Sequence, residues 1–336
     1  MICPPESCSW FPFSDEPLVQ GVSYAPRFCD PQVLLPEQAC DGKWHMFFHS
    51  WIGIHHFISD SGIEWEPRKM IEVRGHSPFI YIENEKYYLI YEKHEREIPF
   101  VGNKRADGGR ETGSRIEIRS STDLLVWSKP RLILDSRTVP YASDYLKAPR
   151  VSRPQLLKTA NGYRLYFGAS HLILPDTSQK VSRYFGYAES DQLFGPYRVS
   201  EKAAPLIEAM PDDKWSNLGC GSIRIVPYDN KIYAFQCGVY WDPETASTHS
   251  ALTMLCSDNG LNFKRCLDKP ILMPSSHGWA SSYIMGCDVH YRPSEKNWYC
   301  YFSANEEHGK KRQISVYESV GLMLGALPVK ITGSAD

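Results

Sequence analysis

Short apolar and aromatic runs recur along the chain, and polar turns separate them. A representative stretch reads PFIYIENEKYYLIYE (78–92) and continues as IEIRSSTDLLVWSKPRLIL (116–134). Runs of this kind, rich in β-branched and aromatic residues and bounded by Gly, Pro, Asn or Asp, indicate β-strands. No amphipathic stretch of about 12 residues or more indicates a helix. The pattern therefore predicts an all-β protein.

The strand pattern repeats five times between about residues 25 and 320, at a spacing of roughly 65 residues. Each full unit holds four strands, which predicts a five-bladed β-propeller of four-stranded antiparallel blades. The fifth unit lacks its closing strand, and SWFPFSDEPLVQ (9–20) resembles the closing segments of other units. We therefore expect residues 9–20 to form the outer strand of the last blade. The chain is then one domain, 1–336, with residues 321–336 as a tail.

Composition agrees with a globular protein built from strands and tight turns. Aromatic residues make up 13% of the chain, with 24 Pro and 23 Gly. A net charge of -2 gives no basic field for nucleic acid. No apolar run reaches the roughly 18 residues that a membrane-spanning helix needs. We expect a partner that is a small molecule or an oligosaccharide, and neither nucleic acid nor a membrane.

The N-terminus and the cysteines carry two further expectations. MICPPESCSW has no basic segment and no apolar segment typical of a secretory signal, so we expect a cytoplasmic location. None of the ten cysteines forms a C-x-x-C pair, and no His/Cys/Asp spacing fits a zinc site. We expect free thiols, no metal and no cofactor, while a bridge between Cys256 and Cys266 stays open.

Propeller topology places a site at one end of the channel. The first strand of each blade lines the channel and starts at the end where the second strand finishes. Long polar loops fall at that same end, at 94–114, 171–183, 240–250 and 305–312. Long loops without secondary structure often carry function. We therefore expect a binding site where Asp30 opens the first unit.

Three acidic residues are candidates for catalysis. Asp30 precedes Pro31 at the mouth of the channel and is a candidate general base or nucleophile. Asp288 has the equivalent position in the fifth unit, and Glu92 ends the second strand of the second unit. The alternatives are a turn residue for Asp30, a cap for Asp288 and a solvated charge for Glu92.

Further polar and aromatic side chains fall at the same end and are candidates for substrate binding. Histidines can donate hydrogen bonds, an arginine there needs an anionic partner, and indole rings match the apolar face of a sugar. The alternatives are structural histidines, an ion pair with Asp30, and core packing. The candidates are His49, Trp51, His76, His94, Arg153, His171, Trp241 and Glu307.

Several segments resemble the five-bladed propeller glycoside hydrolases, which include arabinanases, β-xylosidases, invertases and levansucrases. The resemblance covers residues from about 25 to 320 and is carried by CDPQVLL (29–35), DGKWHMFFHS (41–50), SSTDLLVW (120–127) and YAESDQLFGPY (187–197). It implies a propeller fold and three carboxylates around the channel. Asp30 matches the first of these carboxylates.

The other two carboxylates have no counterpart in this chain. The segment HSPFIYI (76–82) opens unit two without an Asp, and VSRPQLL (151–157) has Ser152 where the family has its general acid. Either Glu92 and Asp288 replace the missing groups or the chemistry differs. Three hypotheses follow: a glycosidase-like enzyme acting on a small glycoside, a sugar-binding propeller without turnover, and another reaction, such as transfer, on an anionic metabolite.

Overall fold

The structure is a computed structural model. It describes residues 3–22, 25, 27–95, 113–143, 148–174, 176–177, 179–200, 204–276, 278–306 and 317–328. These residues form β-strands together with three short 3-10 helices, at Pro5–Ser7, Pro36–Gln38 and Ser136–Thr138. Within the described ranges, no helix is long and apolar enough to cross a membrane.

Five antiparallel sheets form the blades of a propeller. The chain begins with strand β1 (Ser9–Pro12), which belongs to the last blade. Blade one holds β2 (Cys29–Leu34), β3 (Trp44–His49), β4 (Gly53–Ser59) and β5 (Glu66–Val73). Blade two holds β6 (Gly75–Glu83), β7 (Lys86–His94), β8 (Ser114–Ser121) and β9 (Arg131–Asp135).

The remaining three blades follow in chain order. Blade three holds β10 (Val151–Thr159), β11 (Gly162–Ile173) and β12 (Lys180–Ser190). Blade four holds β13 (Gly219–Tyr228), β14 (Lys231–Asp242), β15 (Ser247–Ser257) and β16 (Lys264–Arg265). Blade five holds β17 (Tyr283–Arg292), β18 (Asn297–Asn305), β19 (Glu318–Ala326) and, outermost, β1. The predicted five-bladed propeller is confirmed.

The outer position of blade three departs from the regular pattern. Three strands form its sheet, and isolated bridges join Phe185 to Ile207 and Glu189 to Arg198 at the outer edge. Cys266 donates its amide to Met254 at the corresponding edge of blade four, beside the short strand β16. The outer edges of these two blades are therefore covered by irregular chain that makes only a few sheet-like hydrogen bonds.

The N-terminal segment closes the ring. Strand β1 pairs with β19 from Ser9 opposite Ala326 to Pro12 opposite Met323, and Val19 bridges Val320. The prediction that the N-terminal segment closes the last blade is confirmed, but the strand covers residues 9–12 and not the whole of 9–20. The predicted tail was wrong in one respect, because residues 321–326 lie in β19 and are not a free extension.

Hydrophobic layers between neighbouring blades hold the ring together. One layer joins blades two and three through Ile90, Ile118 and Phe167, and another joins blades four and five through Phe235 and Trp298. These side chains are completely buried. Burying an aromatic or large aliphatic side chain contributes about 1.5–3 kcal/mol. Blade-to-blade packing therefore fixes the positions of the inner strands around the channel.

All ten cysteines are free, as expected. Four of them, Cys3, Cys220, Cys237 and Cys300, are buried, and Cys40 is exposed. The thiols of Cys3 and Cys8 lie 3.4 Å apart beside the first 3-10 helix.

Two of the predicted long loops are short. Strand β11 extends to Ile173 and β12 begins at Lys180, while β14 extends to Asp242 and β15 begins at Ser247. Most of the expected loops 171–183 and 240–250 therefore lies in paired strands, because both hairpins continue past the point where the apolar pattern ends. Most of 94–114 and 305–312 lies outside the described residues.

Candidate active site

The same irregularity interrupts the inner strand in the first three blades. The ladder skips two residues between Cys29 and Gln32, between His76 and Phe79, and between Ser152 and Gln155. At each bulge a residue with positive φ precedes a proline: Asp30 (φ 51°), Ser77 (φ 47°) and Arg153 (φ 49°). Non-glycine residues avoid this region, and such strain persists at functional sites. The bulges bring the side chains of Asp30, Ser77 and Arg153 into contact.

Asp30 accepts hydrogen bonds from both of the other side chains. Ser77 donates from Oγ to Asp30 Oδ2 at 2.6 Å, and Arg153 donates from Nε to Oδ1 at 3.2 Å. The carboxylate is only 9% exposed. Two donors from two other blades fix its orientation, and charge-assisted hydrogen bonds of this kind are among the stronger ones in proteins.

Asp30 lines a pocket at the end of the channel. The pocket has an empty volume of about 340 Å³, part of which is open to solvent. Inner strands of all five blades contribute to its wall: Asp30, Pro31, Ser77, Pro78, Arg153, Pro154, Gln155, Ser222, Ile223, Arg224, Gly286 and Cys287. Among these residues, Asp30 is the single carboxylic acid.

His49 lies beside Asp30 and has a defined tautomer. The backbone amide of Ser77 donates to its Nδ1 at 3.1 Å, so the proton of the neutral ring is on Nε2. Its Nδ1 is 3.8 Å from Asp30 Oδ2. Burial lowers the pKa of His49 to about 4, against the opposing effect of Asp30. The ring is therefore neutral at pH 7 and can donate one hydrogen bond from Nε2.

His76 and His94 extend the cluster behind His49. The rings of His76 and His94 stack at 3.9 Å and 5°, and His49 packs against His76 at 4.7 Å. Burial lowers the pKa of both His76 and His94, and in His94 it outweighs the opposing effect of Glu92. Arg74 reaches His94 Nδ1 at 2.9 Å and the carbonyl of Trp51 at 2.8 Å. Trp51 is thus connected to the histidines through Arg74, and its side chain is 42% exposed.

Glu92 is in an ion pair away from the pocket wall. It is 3% exposed, Arg150 bonds its Oε1, and His94 Nε2 lies 3.2 Å from the same oxygen. Burial acts to raise the pKa of Glu92, but Arg150 and His94 outweigh it and hold the pKa well below its usual range. Glu92 is therefore a permanent carboxylate, which does not fit a proton donor.

His171 belongs to the same end of the channel. It lies in β11 beside Ser170, which has a φ of 53°, and its ring is 7% exposed. Burial lowers the pKa of His171 well below its usual value, and the charge of Arg150 adds to the effect. Its Nδ1 is buried without a hydrogen-bond partner in the described part of the chain.

Asp288 lies deeper than the sequence predicts. The bulge of blade five falls between Ile284 and Gly286, so Asp288 is past it, in the regular ladder opposite Tyr301. It is completely buried and accepts from the amide of Val33 at 2.6 Å. It therefore does not occupy the position equivalent to Asp30, and the pocket wall does not include it.

Three basic or amide side chains surround Asp288. Arg224 Nη2 lies 2.6 Å from its Oδ1, and Gln32 and His290 bond its Oδ2 at 2.9 and 2.7 Å. Burial acts to raise the pKa of Asp288, but Arg224 and His290 lower it overall. This arrangement fits a carboxylate that fixes the inner strands of blades one, four and five.

The last two candidates are not joined to this cluster. Trp241 is the penultimate residue of β14 and is 38% exposed, and its amide donates to Asn217 Oδ1 at 2.8 Å. Glu307 lies outside the described residues. Ser152, at the position of the family's general acid, bonds Ser182 at 3.2 Å and is buried.

Three contributors to the site were not among the predicted site residues: Ser77, Arg150 and Arg224. A signal for Arg224 was present, since SIRIV places a charged residue inside an apolar inner strand. The repeated X-Pro at 30–31, 77–78 and 153–154 was a signal for Ser77. Arg150 precedes its strand and carried no such signal. Within the described ranges, no group of three or more His, Cys, Asp or Glu side chains can hold a metal ion.

No protein-family model matches the sequence, and the search of curated proteins found no match. Solved structures do match. The catalytic domain of the GH62 alpha-L-arabinofuranosidase of Coprinopsis cinerea superposes with a TM-score of 0.64 at 10% identity, over 96% of this chain and 98% of that one. A family 117 glycoside hydrolase of the marine bacterium Zobellia galactanivorans gives 0.60 at 13% identity, over 98% and 94%.

A protein with a different reaction has the same fold. An N-acetylgalactosamine deacetylase from F. plautii matches with a TM-score of 0.60 at 13% identity, over 95% of both chains. The resemblance to the five-bladed propeller glycoside hydrolases is thus confirmed for the fold. Because one fold hosts several reactions, the function is argued below from the site.

Proposed function

We propose that this protein is a glycosidase-like enzyme that acts on a small glycoside or oligosaccharide, with Asp30 as general base or nucleophile. The observation that supports the proposal is the convergence of three strained bulge residues on one carboxylate at a pocket. Strain of about 1–3 kcal/mol per residue is retained where the surrounding structure and function require it. Blade four has a two-residue skip as well, but the residue at positive φ there is Gly221, for which this conformation is not strained.

The chemistry follows from the surroundings of Asp30. As a base, Asp30 takes a proton from water while the water oxygen bonds to the anomeric carbon and the bond to the leaving oxygen breaks. As a nucleophile, Asp30 bonds to the anomeric carbon while the bond to the leaving oxygen breaks, and water then hydrolyses the glycosyl ester to release the sugar and the free carboxylate. Neutral His49 supplies an N–H for a substrate hydroxyl. Since Asp30 is the single acid among the described wall residues, the leaving group receives little help from a protein acid.

This has a measurable consequence. Hydrolysis should depend steeply on the leaving group, so that 2,4-dinitrophenyl glycosides react much faster than 4-nitrophenyl or methyl glycosides of the same sugar. The experiment measures turnover of a panel of such glycosides by the full chain and by Asp30→Asn. The matched control is Asp60→Asn, since the Asp60 side chain is 84% exposed and pairs only with Lys43 at 2.9 Å.

We expect Asp30→Asn to lower kcat/KM by about a hundredfold or more, and Asp60→Asn to leave it unchanged. Circular dichroism and urea unfolding check that both variants are folded. Full activity in a folded Asp30→Asn variant would remove Asp30 from the mechanism. Absence of turnover across the panel would refute hydrolysis of these glycosides.

A sugar-binding protein without turnover is the second candidate. The single carboxylic acid in the described wall favours it, because standard glycosidases use two. It predicts that calorimetry detects sugar binding by the wild-type chain and that no glycoside in the panel is cleaved. Turnover that depends on Asp30 would exclude it.

A further inference from the structure

Two arginines lie in the wall of the pocket. Arg153 comes from the bulge of β10 in blade three, and Arg224 comes from β13 in blade four. Both side chains are largely buried, with 18% and 12% exposed. Within the described wall, the two guanidinium groups accompany a single carboxylate, that of Asp30.

Each guanidinium is anchored on one side only. Arg153 uses Nε for Asp30 and Nη1 for Ser182 Oγ, both at 3.2 Å, and its Nη2 meets no acceptor in the described chain. Arg224 uses Nη2 for Asp288 and stacks 4.7 Å over the ring of Phe79. Its Nε is buried without a partner among the described residues. Each guanidinium group is therefore held in a fixed orientation and keeps at least one N–H donor without a partner among the described residues.

The described pocket wall is rich in cationic groups. Its charged side chains are Arg153 and Arg224 against Asp30, while Asp288, the partner of Arg224, lies outside the wall. Burial lowers the pKa of the four nearby histidines, so they add no negative or positive charge at pH 7. Within the described wall, cationic groups therefore outnumber anionic ones.

We propose that the pocket binds a sugar that carries an oxyanion, held between Arg153 and Arg224. The oxyanion is the carboxylate of a uronic acid, a phosphate ester or a sulfate ester. Each of these groups can accept two hydrogen bonds from one guanidinium. The inference rests on the proposed function, because it names the substrate class of the same pocket.

The experiment measures binding of free sugars to the wild-type chain by calorimetry, so it does not require turnover. The anionic probes are D-glucuronate, D-galacturonate, D-glucose 6-phosphate and D-glucose 6-sulfate, and the neutral counterparts are D-glucose and D-galactose. Comparison among the probes separates carboxylate from phosphate and sulfate. We expect at least one anionic sugar to bind about tenfold more tightly than its neutral counterpart, and added salt to narrow the difference.

Three variants assign the effect to Arg224. Arg224→Met alone would leave Asp288 buried and unpaired, so it is combined with Asp288→Asn. Arg224→Lys keeps the charge but loses the planar fork. The matched control is Arg292→Gln, since Arg292 also stacks on an aromatic ring, Trp44 at 4.9 Å, and pairs with Glu295, but lies outside the pocket wall.

The double variant should lose the preference for the anionic sugar, Arg224→Lys should keep part of it, and Arg292→Gln should keep all of it. Equal binding of neutral and anionic sugars, an unchanged preference in the folded double variant, or no binding of any anionic sugar would each overturn the inference. Turnover of neutral glycosides without anionic preference would leave the proposed function intact. Binding of an anionic sugar without turnover of any glycoside would support the inference and refute the proposed function.

Discussion

The backbone amide of Ser77 donates to Nδ1 of His49 at 3.1 Å, across the boundary between blades one and two. This hydrogen bond requires a lone pair on Nδ1, so it exists only while the ring is neutral in that tautomer. Protonation of His49 would break it and would place a charge in a buried site. The site is therefore sensitive to acid.

The first prediction concerns stability against pH. A histidine whose pKa is lowered on folding contributes stability that is present above its unfolded pKa, near 6.5, and is lost as the pH falls. For His49, with a folded pKa of about 4, the loss between pH 6.5 and 4 is roughly 3 kcal/mol at most. Urea unfolding at several pH values should show this fall, and His49→Gln should reduce it without abolishing it, because burial also lowers the pKa of His76, His94 and His171. A stability that stays constant from pH 7 to pH 4.5 would contradict the prediction.

The second prediction concerns the ion pair of Glu92 and Arg150. Glu92→Gln removes the buried carboxylate that Arg150 bonds, so we expect the free energy of unfolding to fall by roughly 3 kcal/mol. Glu95→Gln is the control, because its partner Arg137 is 61% exposed and such pairs contribute about 0.5 kcal/mol. Urea unfolding compares the two. Glu92→Gln with unchanged stability and no activity would instead support the sequence-based catalytic role.

The third prediction concerns the space beside Asp30. A Cβ atom on Gly286 would overlap Asp30 Oδ1, so Gly286→Ala should displace the carboxylate. We expect a large loss of turnover or sugar binding with a smaller loss of stability. Gly219→Ala is the control, because a Cβ there meets the nearest atom, the carbonyl oxygen of Ser182, at 3.2 Å. Equal effects of both substitutions on function would show that the position of the carboxylate does not matter.

The fourth prediction concerns the closing strand. Trp10 packs on Gly325, meets Phe235 edge-on at 5.9 Å and donates to the carbonyl of Pro5 at 3.1 Å. Trp10→Ala should lower the free energy of unfolding by about 2–3 kcal/mol, since most of these contacts are lost. Its neighbour Phe11 is 44% exposed, so Phe11→Ala should cost well under 1 kcal/mol. Equal losses of unfolding free energy in the two variants would show that the packing of Trp10 does not stabilise the closing strand.

The fold was predictable because strand alternation and turn residues are local signals that repeat. The end of the last blade was missed for a physical reason. Strand β19 contains Gly321 and Gly325, which weaken a strand pattern, yet Trp279 and Trp10 pack directly against them. A glycine that is required by a side chain distant in the sequence does not show in the alternation of apolar and polar residues.

The site was predictable only in part. Asp30, His49 and Arg153 were expected at one end of the channel, and the structure brings them into contact. Asp288 was misplaced because blade five has a shorter bulge without proline, and the length of a bulge decides how deep the next residues lie. The pairing of Glu92 with Arg150 depends on two blades meeting, which spacing along the chain does not specify.

The sheet that joins residues 9–12 to residues 323–326 also sets the order of assembly. During synthesis the earlier segment leaves the ribosome first, and the strand that it pairs with is made more than 300 residues later. Four blades can therefore form before the fifth is complete. Until then the waiting segment, with the apolar groups of Trp10 and Phe11, is open to proteases and to pairing with other chains.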